Sequence, residues 1–444
     1  MNNAAVAKFA IIIIMGLFFA ACSNNDWRVQ ATPTEAAVAT ALDDVPDPAV
    51  LTQVDLPHQP LMSLPKKVRP CCAFGYNQKV NMANLPVPFV RIANTVALQD
   101  IGAHAYEAGT FSFQRPAPDA SRRTEANGLI YTLRGGFIDL AHVRDTADNT
   151  VALFYHIHPR LGQAQTIKLP YEIGERYIEL SAFDVSGLTA EQKWQLAANM
   201  GARLAYFMAE AHELAQWHGY RTYAPWSEDV SAYSPEDIYS NMLGAKIALA
   251  VIVNNQAMTR QQFNFHMTSW LESSLTWLQP VSKSHTNALL DVVDGMWWDS
   301  KARLPNKFFV LLRHYQLGDQ QQPYLVPEQL ASQSEQWSLV ADLYQNAKPQ
   351  HDLSLASSLF GIDFDEVAKQ WLFVDDKFAS SFEHVPETLW QQGFTQTQFR
   401  MISQFNAKED QRQLQEWLTN RPYLIGPEAF QRLPKPLPAH KLNP

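Results

Sequence analysis

From Phe9 to Phe19 the chain is an apolar run broken only by Gly16, preceded by Lys8 and closed by Ala20-Ala21. A helix needs about 20 apolar residues to cross a bilayer core, so this run is too short to span. A basic residue, a short apolar stretch and small residues before a cut are the layout of a cleavable export signal. Residues 1–21 are therefore read as a signal peptide, and whatever folds begins at Cys22, beyond the inner membrane. The sequence turns polar at once after it, with Ser23-Asn24-Asn25-Asp26.

The four residues Phe19-Ala20-Ala21-Cys22 resemble a lipobox. That resemblance implies a lipid on the Cys22 thiol, cleavage before it and acylation of the new amino terminus. Acyl chains contribute about 0.8 kcal/mol per buried methylene, enough for a stable anchor without a spanning helix. Ser23, where an Asp would retain the protein in the inner membrane, points to an outer-membrane lipoprotein facing the periplasm or the cell surface. The membrane, through Cys22, is the expected partner. A formal charge of −9 without a Lys/Arg footprint argues against nucleic acid.

At 444 residues and 46% hydrophobic content the chain holds a substantial core. Residues 22–65, rich in Ala, Thr, Gln and Pro, read as a flexible tether. Residues 66–320 read as the main, mostly helical domain, and 321–444 as a helical C-terminal subdomain. The fold class expected is mainly α with a small β-rich N-terminal part (α+β). Cys71 and Cys72 are adjacent, with Cα atoms about 3.8 Å apart, so they form either a vicinal disulfide with a distorted peptide or two small thiols.

Local signals place the elements. Leu129–Leu133 reads as a strand, and a helix is expected from Gly136 to Ile157 with Asp139 in its first turn, where its charge suits the dipole. Thr189 with Gln192 makes a capping box for a helix to about His218. Ser234-Pro235-Glu236-Asp237 reads as Ser N-cap, Pro at the first helical position and Asp three residues on. Thr259 with Gln262, and Ser284 to Val293, open two more. Further helices are expected near 328–345, 364–372, 394–405 and 408–419. Trp297-Trp298-Asp299 is either a binding loop or a loop tacked down by its tryptophans.

Common catalytic signatures are missing: no Gly-x-Ser-x-Gly elbow, phosphate loop or dinucleotide glycine pattern occurs. His212-Glu213 starts a zincin pattern but Gln216 stands where its second His belongs. Polar groups nonetheless sit on apolar or small-residue stripes. His142 and Asp145 are three apart on one helical face. His212 follows Ala197, Ala198, Gly201, Ala205 and Met208 along a second helix. Together they suggest a zinc or iron site with His142, Asp145 and His212 as ligands and Glu213 activating water. Asp237 and Asn241, four apart, could complete the pocket. The competing reading is a buried hydrogen-bond network that knits helices together.

Four strings in order carry a family resemblance: Arg69-Pro70-Cys71-Cys72-Ala73-Phe74-Gly75, Gly135 to Asp145, His212-Glu213 ahead of Trp217-His218-Gly219, and Ser231 to Gly244. They resemble an uncharacterised family of bacterial lipoproteins defined only by a domain of unknown function, over roughly residues 66–320. The resemblance implies no activity, cofactor or fold. Two classes stay open: a metal-dependent hydrolase of the envelope, and a non-catalytic structural or binding lipoprotein.

Overall fold

The computed structural model describes residues 32–43, 62–66, 68–69, 74–82, 85–107, 125–222, 227–345 and 348–419. The stretch read as a signal peptide, Cys22, Cys71 and Cys72 lie outside them. In chain order come helix α1 (Glu35–Asp43), strands β1 (Gln78–Met82) and β2 (Leu85–Ile92), and the pair β3 (Leu129–Thr132) and β4 (Gly136–Asp139). Helix α2 (Leu140–Ile157) leads to the pair β5 (Gln165–Lys168) and β6 (Arg176–Leu180). Helices α3 (Ala190–Trp217), α4 (Asp237–Val253), α5 (Arg260–Trp277) and α6 (Lys283–Val292) follow. After short turns come α7 (Trp337–Gln345), β7 (Ala368–Leu372), β8 (Phe394–Thr395) and α8 (Gln396–Thr419). The expected mainly helical α+β architecture is what forms.

Helices α2, α3 and α4 meet along small residues. Gly201 on α3 faces the Phe154 amide of α2: a Cβ there would stand 3.1 Å from that nitrogen. Gly244 on α4 lies closer still, with the Val143 carbonyl oxygen 2.1 Å from the place of its missing Cβ. Around this seam every residue of α4 is buried, as are the Ala-rich faces of α3. The capping box of Thr189 and Gln192 forms as expected, and Thr259 caps α5.

Several local expectations shift, among them the helix expected near 328–345, which is broken between Ala331 and Trp337. The chain from Gly136 to Asp139 pairs with β3 instead of starting the helix, which begins at Leu140. Asp139, extended at φ −89° and ψ 113°, is the N-cap. The stretch near 364–372 turns once as a helix and then becomes β7, because Ala368, Gln370 and Leu372 alternate inward with period two. The two last helices are one, α8. Inside the stretch read as a tether, α1 docks its Val38, Ala41 and Leu42, spaced three and four apart, into the core. Trp297 and Trp298 are buried, and the Trp298 indole donates to the Leu290 carbonyl at 2.8 Å: the loop is tacked down.

Strands β8, β7, β6 and β5 make one antiparallel sheet in that order. Gln370 faces Ile178, which faces Ile167 on its other side. Residues beyond 321 thus complete a sheet begun before 181. No helix of the described residues is long and apolar enough to cross a membrane.

Candidate metal centre

The start of α2, the start of α4 and the last turns of α3 converge on the imidazole of His142. Asp139 Oδ1 accepts from the Ala141 and His142 amides at 2.7 and 3.4 Å, which holds the carboxylate over the first turn. Its other oxygen stands 3.5 Å from His142 Nδ1. Asp237 Oδ1, from α4, stands 2.8 Å from the same nitrogen. One ligand atom each from Asp139, His142 and Asp237 lies within 4.8 Å of the others, all buried, so this group could hold a metal ion.

The opposite edge of the ring faces α3. His142 Nε2 is 3.9 Å from Glu213 Oε1, and Glu213 Oε2 is fixed by the Tyr233 amide at 2.7 Å. Ser240 ties the two helix starts together. It accepts from the Asp139 amide at 2.9 Å and donates to the Glu236 carbonyl at 2.6 Å. Glu236 itself is buried beside this group, one oxygen accepting from Ser234 Oγ at 2.6 Å. Its other oxygen, Oε1, finds no hydrogen-bond partner among the described residues.

Charge is crowded in this interior. Burial opposes protonation of His142, yet Asp237 and Asp139 outweigh it and hold the imidazole well above its ordinary value. Burial pushes Asp237 up to about 8 against the pull of His142, with Glu213 and Asp139 adding to the rise. Burial, then the charges of Asp237 and Asp139, raise Glu236 well above the usual carboxylate range. Glu213 is also raised by burial, against His142 and His212.

His142, Glu213 and Asp237 therefore come together as expected, but Asp145 and His212 do not join them. Asp145 turns toward Arg69, which meets it at 2.6 Å and also binds Glu125 at 2.6 Å and Asp148 at 2.9 Å. Three residues along a helix give a shared face only in the absence of a stronger partner, and a buried guanidinium is one. His212 donates from Nδ1 to Glu172 at 2.8 Å while Gln216 donates to its Nε2 at 3.0 Å. Both ring nitrogens are taken. At this level the side of α3 that closes on α2 is Glu213, about 100° further round. Asn241 accepts from Thr146 Oγ1 at 2.7 Å, a bridge between α2 and α4 beside the group.

Two members were missed, Asp139 and Glu236. The Ser234-Pro235-Glu236-Asp237 run forms a turn ahead of α4, with the Asp237 amide donating to the Ser234 carbonyl at 3.1 Å. Glu236 is the N-cap residue and makes no side-chain cap. Asp237 is thereby released from the capping role and reaches His142. Two successive acids at a helix start, one more than capping uses, were the available signal.

A family model described as protein of unknown function (DUF4056) matches residues 59–327. No curated protein and no solved structure matches the chain.

Proposed function

The chain belongs to the DUF4056 family, and from that premise we propose a membrane-anchored envelope lipoprotein with a buried divalent-metal site that serves hydrolysis of an envelope substrate. The family has no assigned function, so the reading rests on the site. One observation carries it: three carboxylates, from Asp139, Glu213 and Asp237, are buried around a single imidazole, with the buried Glu236 beside the two aspartates. One imidazole does not balance so many carboxylates crowded in a dry interior, and a divalent cation offsets their mutual repulsion.

Asp139, His142 and Asp237 would hold the ion. One nitrogen and two carboxylate oxygens suit zinc or ferrous iron. Such an ion supplies Lewis acidity and lowers the pKa of a bound water. Glu213 sits behind the ring, where its carboxylate favours the tautomer that keeps the proton on Nε2 and leaves the Nδ1 lone pair facing the two aspartates. That makes Glu213 a positioning residue, distinct from the water-activating role expected of it. Glu236, raised well above the usual carboxylate range by burial and then by Asp237, is the group suited to give a proton. The His142 side chain is 10% exposed, so substrate would meet the site along that edge. A second reading, an ion with a purely structural role, is favoured by the complete burial of both aspartates.

The mature chain, purified without chelators or metal columns, should carry about one zinc or iron by mass spectrometry. His142→Ala and Asp237→Ala should lose it. A wild type that is metal-free and takes up neither ion overturns the metal reading. Hydrolysis of peptide, lipid or glycan substrates that follows metal content would separate the catalytic reading from the structural one.

A further inference from the structure

Strand β2 runs Leu85-Pro86-Val87-Pro88-Phe89-Val90-Arg91-Ile92, and most of it is exposed. Leu85, Phe89 and Val90 are 71%, 97% and 49% exposed. An edge strand with apolar side chains open to water is an aggregation hazard unless something covers it. β2 is such an edge, with only β1 beside it in the order β2-β1 and then a short run at Arg303–Leu304.

Charge indicates what covers it. In a chain of net −9, the stretch between Asp55 and Asp100 holds Lys66, Lys67, Lys79 and Arg91, besides the buried Arg69 already paired with carboxylates, and no acid at all. Lys79 and Arg91 are moreover direct cross-strand partners. Like charges opposite each other destabilise a pair, so this base of the apolar strand favours an anion.

Distance supplies a second argument, which rests on the lipid-anchor reading of Cys22. Helix α1 begins at Glu35 and is pinned by Val38, Ala41 and Leu42. Fully extended at about 3.5 Å per residue, the link from Cys22 to Glu35 reaches roughly 45 Å. The lipid surface is the apolar phase kept nearest.

We propose that β2 docks in the headgroup layer of an anionic bilayer, Leu85, Phe89 and Val90 entering it and Lys79 with Arg91 meeting lipid phosphates. Deeper entry is barred because an open sheet edge cannot leave its backbone groups unpaired in hydrocarbon. Pro86 and Pro88 lower that cost in the interface, since neither has an N–H to satisfy.

The test uses the mature chain from residue 22 with Cys22→Ser, so that no lipid anchor contributes. It should float with vesicles of phosphatidylethanolamine and phosphatidylglycerol, more weakly in high salt, and far less with phosphatidylcholine alone. Leu85→Asp with Phe89→Asp should cut partitioning by at least about tenfold without shifting the melting curve, because both sites are exposed. Arg91→Glu should do the same to a lesser degree. Absence of flotation in the parent chain overturns the proposal, as does undiminished flotation of the variants. So does a dimer that these substitutions split without altering flotation, which would assign the strand to a second copy. None of these outcomes depends on whether the wild type is lipidated or binds metal.

Discussion

Gly244 stands against the carbonyl oxygen of Val143 so closely that a Cβ would fall 2.1 Å from it, and this contact brings the start of α4 alongside the start of α2. Asp237 lies about two turns before Gly244, and His142 is the residue next to Val143. Gly244→Ala should cost about 3 kcal/mol, since overpacking against backbone has no flexible atom to move. Metal uptake should weaken with it. Gly201→Ala meets its nearest atom at 3.1 Å, and the roughly 1 kcal/mol that Ala gains over Gly in a helix offsets the crowding. Urea unfolding should show the first variant markedly destabilised and the second near wild type. Equal effects would contradict this account of the seam.

Asp139 serves as helix cap and as a ligand-bearing carboxylate, and Asp139→Asn separates the two. Asn caps as well as Asp, so stability should change by less than about 1 kcal/mol. The lost charge should weaken zinc binding at least about a hundredfold by calorimetry. Loss of stability with binding retained would mean the residue is only a cap.

Glu213→Gln puts an amide NH₂ in place of the carboxylate oxygen that faces His142 Nε2 at 3.9 Å. With its amide oxygen kept by the Tyr233 N–H, the new NH₂ points to His142 Nε2 and makes it an acceptor. The proton then moves to Nδ1, the nitrogen that faces the aspartates. Metal affinity should fall about 10- to 100-fold, though no ligand has been removed. An unchanged affinity would remove Glu213 from the site.

The metal-free protein should lose stability as pH rises from about 4 to 8. Burial lifts Asp237 and Glu210 each to about 8, from ordinary values of 3.8 and 4.5. Between those limits the folded chain holds protons that the unfolded chain has released, so raising pH favours unfolding. The contribution is complete below the unfolded values and gone above 8. Melting temperature should therefore drop by several degrees between pH 6 and 8.5. Added zinc should restore more at the higher pH, where it no longer competes with protons. A flat profile would count against these burial effects.

Much of the scaffold was legible because its signals are local. Thr189 with Gln192, the Ala and Gly stripe on α3, and Gly244 on α4 each act within a turn or two, or through size alone. The grouping of His142 with Glu213 and Asp237 was also within reach of helical spacing. The partner of Asp145 was not: Arg69 lies 76 residues away and reaches it through the tertiary fold. His212 was misplaced because a 100° difference between neighbours decides which one faces the seam, and its small-residue stripe marked the helix contact one position too early. Glu236 was hidden by a capping pattern that the turn at Ser234 overrides.

Asp145→Asn offers a check on that correction. It should lower stability, by about 1 to 3 kcal/mol, because the buried Arg69 keeps only part of its partners. Zinc binding should be untouched. A variant that folds normally but loses the metal would return Asp145 to the site.

The sheet of β5, β6, β7 and β8 joins Glu179 to Trp371, whose indole donates to it across 192 residues. During synthesis, β6 emerges with β5 on one side long before β7, its partner on the other, exists. In that interval it offers an open row of backbone donors and acceptors to any neighbouring chain. Folding of this region must therefore be late and slow compared with the helices, and such a protein would depend on a holding chaperone more than its helical content suggests.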